Sequence, residues 1–128
     1  MKKQDRVIKF RAWDFDKKTF VYLMLCDGTY VYPISEDQLD KQMPIMQFTG
    51  LLDKNGKEIY EGDIVSVCGN EEGDADTMIV SWNKETLTYE LLNHKGVKQN
   101  LYLYEVLDDE DDKTIVIGNI FENPELLK

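Results

Sequence analysis

The feature that most constrains the fold is the stretch MQFTGLLDKNGKEIYEGDIVSV, residues 46–67, where β-type runs are cut repeatedly by glycine. IMQFT (45–49) reads as a strand that Gly50 ends or bends. DKNG (53–56) suits a type I turn, with Asn-Gly supplying the left-handed residue at its end. YEGD (60–63) is a second turn, and DIVSV (63–67) a β-branched strand. Glycine takes positive φ without steric cost, so Gly50, Gly56 and Gly62 let a short chain reverse direction several times. The punctuation is topological, and it predicts a β protein.

The remaining chain agrees. RVIKFRAW (6–13) alternates Ile8, Phe10 and Ala12 on one face with Lys9 and Arg11 on the other, the period-2 signature of a half-buried strand. DFDKK (14–18) turns the chain into TFVYLML (19–25). The Asp-Gly at 27–28 then leads into TYVYPI (29–34). One short helix is signalled over EDQLDKQM (36–43), with Ser35 as cap, Gln38 completing a capping box, and Pro44 as stop. Downstream, the acidic loop GNEEGDAD (69–76) precedes strands TMIVSWN (77–83) and TLTYELL (86–92). VKQNLYLYEVL (97–107) fits either a short strand or one helical turn, and TIVIGNIF (114–121) is a strand interrupted by Gly118. Asn123 and Pro124 open a terminal helical turn. Turn signals every 8–12 residues or so indicate an all-β sandwich or barrel. The expected architecture is mainly β: an N-terminal hairpin or meander lobe with one short helix (residues 1–50), packed as one unit with a C-terminal SH3-like small barrel (residues 51–128).

Composition excludes more than it assigns. With 25 Asp+Glu against 15 Lys+Arg the chain carries a net charge of −10, which argues against a face that grips phosphates. No apolar run is long enough to cross a bilayer as a helix, so a cytoplasmic protein with no membrane partner is the expectation. Cys26 and Cys68 form no CxxC pair, and no disulfide is expected in a reducing compartment. A catalytic triad or histidine-rich metal site would have to rest on His94 alone. No G-x-S-x-G elbow, phosphate loop or dinucleotide fingerprint is present. DDEDD (108–112) and EEGDAD (71–76) are acidic, but neighbouring carboxylates on a loop do not converge on one point, and the EF-hand spacing is missing. Neither a metal nor a cofactor is expected.

Three motifs in order, IKFRAWD (8–14), the stretch 46–67 and VIGNIFENPELL (116–127), closely resemble the YopX family of phage and prophage proteins. The resemblance implies a small β-rich fold encoded in phage genomes, expressed in a bacterial host cell, and brings no accepted activity or catalytic residues. Trp13, Phe48, Gly50, Gly56, Gly62, Asp63, Gly118 and Pro124 read as structural, filling the core or fixing turns. Core and turn roles account least well for Gln47, Thr49 and Asn119, which would form a polar site if they met in one cleft. Tyr60, Trp82 and Tyr89 are candidates for an aromatic binding face. The expected function is that of a non-catalytic accessory protein binding a host or phage protein. Nucleic-acid binding through a local basic and aromatic patch is the alternative, disfavoured by the charge, and a small-ligand enzyme ranks behind both. Exposed strand edges and many aromatic residues also lead us to expect a homo-oligomer.

Overall fold

The structure, a computed structural model, describes residues 8–26, 29–31, 43–68, 75–93, 95–108 and 113–127. It is mainly β, as expected. The first sheet holds β1 (Lys9–Asp14), β2 (Thr19–Cys26), β3 (Thr29–Val31), β4 (Ile45–Leu52) and β5 (Glu58–Tyr60), in the order β3-β2-β1-β4-β5. The second holds β6 (Asp63–Cys68), β7 (Ala75–Asn83), β8 (Thr88–Leu92), β9 (Lys98–Tyr102) and β10 (Ile115–Asn119), in the order β10-β6-β7-β8-β9. A five-residue helix, α1 (Leu103–Leu107), joins β9 to β10. A four-strand meander, β6 to β9, followed after a helical turn by a fifth strand, β10, that returns beside β6 is the arrangement of an SH3-like barrel. The strand pairs among the described residues are all antiparallel. The helix expected over 36–43 lies, apart from Met43, outside the described residues, as do the Asp-Gly turn at 27–28 and most of both acidic loops.

A recurrent side-chain device sets the turns. Asp14 Oδ1 accepts the N–H groups of Asp16 and Lys17, opening the β1–β2 hairpin. Asp53 Oδ1 does the same for Asn55 and Lys57, Asn83 Oδ1 for Glu85 and Thr86, and Asn93 Oδ1 for Lys95 and Val97. Short Asx side chains mimic a backbone turn in this way and so compete with strand pairing. The strand expected from residue 86 begins instead at Thr88, because Leu87 closes its turn in the left-handed region at φ 56°. TIVIGNIF likewise stops short: Asn119 Oδ1 accepts the N–H groups of Phe121 and Glu122, ending β10 in a turn. Both readings of 97–107 hold in succession, a strand to Tyr102 and a helix from Leu103.

The larger core cluster comprises Ile59, Val65, Val67, Met78, Val80, Leu91 and Leu103. Ile59 belongs to the first sheet and the others to the second sheet and α1, so this core is shared. Each fully buried aliphatic side chain contributes about 1.5–3 kcal/mol relative to an exposed one. Around Ala12, a smaller cluster gathers Phe10, Val21 and Met43. The crossing between sheets falls at Glu61–Gly62. There the Gly62 N–H donates to the Val80 carbonyl at 2.9 Å, and the Gly62 carbonyl accepts the Ile120 N–H at 3.0 Å. A second tie is Asp53, whose Oδ2 accepts the Val116 N–H at 2.9 Å while Oδ1 serves its own turn.

Candidate functional site

Period-2 alternation places Lys9, Arg11 and Trp13 on one face of β1, and this face is not solvent-facing: Arg11 and Trp13 are each about 5% exposed. The expectation of a half-buried strand is corrected here. Aromatic residues from distant elements cover the second face. Trp13 stacks on Phe121 at 5.4 Å and meets Phe20 edge-on at 4.8 Å. The Arg11 guanidinium lies between the rings of Phe20, at 4.2 Å, and Tyr60, at 4.6 Å. Arg11 Nη2 donates to Asp63 Oδ1 at 2.7 Å, and Asp63 Oδ2 accepts the Tyr60 N–H at 2.8 Å. Burial pushes the Asp63 carboxyl up, opposed by the Arg11 guanidinium and the Tyr60 amide. It also pushes the Tyr60 hydroxyl up to about 12, with the Glu58 carboxylate adding to the effect. Lys9 pairs with Glu58 and lies over the Phe48 ring. This inner cluster is a closed structural clasp, with its charges matched and its rings packed.

An open groove lies next to it, at the crossing of the two sheets. Pro44 and Met46 from the first sheet line it, with Glu61 and Gly62 at the turn, Ile79 to Trp82 on β7, Leu92 on β8, and Ile120 and Phe121 after β10. Its volume is about 420 Å³. Gly62 forms part of its floor for two reasons. The residue has φ +82°, and a Cβ there would sit 3.1 Å from Met46 Sδ. Behind the turn, Gly118 gives Asn123 room: a Cβ at 118 would lie 2.5 Å from Asn123 Oδ1, the atom that accepts the Asn119 N–H.

Among the described residues, Glu61 is the one carboxylate lining the groove. Its Oε1 accepts the Gln47 N–H at 3.2 Å, and its own N–H donates to the Gln47 carbonyl at 3.0 Å. Burial raises its carboxyl above the ordinary value, with the Gln47 amide pulling the other way. No cation among the described residues pairs with it. Trp82, 43% exposed, lies across the groove and packs edge-on against Tyr89 at 4.9 Å.

The residues singled out from sequence therefore separate. The Thr49 hydroxyl donates to the Ile59 carbonyl at 2.7 Å and accepts the Leu51 N–H, which holds β4 to β5. The Asn119 amide is occupied in its turn, with Nδ2 donating to Glu122 Oε1. Gln47 acts through its backbone, as the partner of Glu61. Tyr60 belongs to the buried clasp on the first sheet, whereas Trp82 and Tyr89 form a cross-strand pair on the second. Trp82 alone of the six lines the groove. Sequence reading passes over Arg11 and Glu61. The only signals for them were a cation set in an aromatic strand and an acid beside a turn glycine, both commonplace.

Comparison with curated proteins gives no match. Among solved structures the fold is similar to the crystal structure of protein EF1440 from Enterococcus faecalis, with a TM-score of 0.62 and 28% identity over 97% of this chain and all of that one. The family model described as YopX protein matches residues 9–128, nearly the whole chain. The chain therefore belongs to the YopX family.

Proposed function

We propose that this YopX-family chain is a non-catalytic accessory protein, phage-encoded and acting in the cytoplasm of a bacterial host, that works by binding a host or phage protein in the groove between its sheets. The observation that carries this reading is the contrast between the two neighbouring sites. The Arg11 and Asp63 charges of the clasp are matched to each other inside a packed aromatic cluster, while the groove presents apolar walls and a half-exposed tryptophan. Exposed tryptophan beside apolar pockets is the typical anchor of protein interfaces. Nucleic acid is less favoured than protein, because Lys9 and Arg11, the cations that stand among aromatic rings in the described residues, are committed to Glu58 and Asp63. The test is affinity capture from nuclease-treated host extract at high salt. A stoichiometric protein partner is expected; partners recovered only when nuclease is omitted would instead support nucleic-acid binding.

A further inference from the structure

We propose that the groove receives a Lys or Arg side chain of a partner protein segment, its cationic head at Glu61 and its aliphatic stem along Trp82, Ile120 and Phe121. The inference rests on the interaction reading above and names the chemistry of the partner. Three observations lead to it. The first is that, among the described residues, Glu61 is the only carboxylate in the lining and has no cation partner. A partner that closes the groove removes the remaining water from this carboxylate. An apolar segment would leave the charge stranded, which is strongly unfavourable, whereas an incoming cation supplies the missing partner.

The walls match the rest of a basic side chain. Met46, Ile79, Leu92, Ile120 and Phe121 offer apolar surface to the methylene stem, and the exposed Trp82 belongs to the same lining. The groove, about 420 Å³ in volume and open to solvent, leaves room for a basic side chain. Finally, the chain carries a net charge of −10, which draws basic segments toward it and repels acidic ones before any contact forms.

The experiment is selection of a random peptide library, displayed on filamentous phage, against the full chain and its variants. Peptides selected by the wild type are expected to be enriched about tenfold in Lys or Arg next to apolar residues, corresponding to one tenfold step in affinity. The enrichment should vanish with E61Q, in which glutamine still accepts the Gln47 N–H. It should vanish also with S81K, which brings a cation to the groove wall and keeps the control independent of how E61Q folds. Basic peptides selected equally well by both variants would show attraction to overall charge and overturn the proposal. Apolar peptides without a basic preference would overturn it too, while leaving the interaction reading intact. Failure to select any peptide would count against both.

Discussion

Arg11 and Asp63 meet at 2.7 Å across 52 residues of sequence, with only 6% and 3% of their side chains exposed. One residue stands in the middle of the first sheet and the other opens the second, so the pair locks the two together. Two aromatic rings flank the guanidinium and the Tyr60 amide completes the carboxylate, which leaves little for water to do. Removing one member strands the other. D63A is expected to cost about 3–5 kcal/mol in urea unfolding. The double variant R11M/D63A should be less destabilised than the sum of the two single variants. Additive losses would show that the pair is not coupled.

Gly118 and Asn123 predict a second coupling. A methyl group at 118 would lie within 3 Å of Asn123 Oδ1, Cγ and Cβ, so the whole side chain would have to move and release the Asn119 N–H. G118A should cost about 1–3 kcal/mol by overpacking. The same substitution made in an N123A background should cost clearly less, as a thermal-unfolding double-mutant cycle will read.

Tyr60 should ionise late, because burial pushes its hydroxyl up to about 12. Tyrosinate absorbance should therefore show a step well above the usual tyrosine value of about 10, at high pH or on unfolding. Between those values the native state holds a proton that the unfolded chain has lost, so stability falls as pH rises through this window. Y60F should remove the late step.

For Glu61 the sign is the same at acidic pH. Its folded pKa is raised, so between the unfolded and folded values the native protein binds more protons than the unfolded chain. The contribution of Glu61 is fully present below its unfolded pKa and is lost as pH rises through the folded one. Relative to wild type, E61Q should therefore gain stability as pH rises across that window. A difference that stays constant with pH would contradict the assignment.

Local signals made much of the β framework legible. Alternation marked β1, β-branched runs marked β6 and β7, and Asn55-Gly56 marked the turn between β4 and β5, because each depends on residues close together in sequence. Leu87 escaped because a left-handed leucine is not suggested by its side chain and is held by the turn that Asn83 opens. Arg11 looked like an outward-facing cation because its covering groups lie far off: Tyr60 and Asp63 about fifty residues on, and Phe121, which stacks on the neighbouring Trp13, farther still. Glu61 read as a turn residue for the same reason, since its setting depends on the Gln47 amide and on the docking of β7 against Gly62. Candidate-site residues are harder to read than strands because the groove exists only once two sheets have met.

The central claim is that the groove holds a protein partner, and Trp82 tests it most directly. Partner affinity would be measured by titration calorimetry for the wild type, for W82A and for Y104A, the last removing an exposed aromatic on α1 outside the groove. W82A should lose about 2 kcal/mol of binding or more, roughly thirtyfold, while Y104A stays within a few tenths of wild type. Equal affinity for wild type and W82A would contradict it.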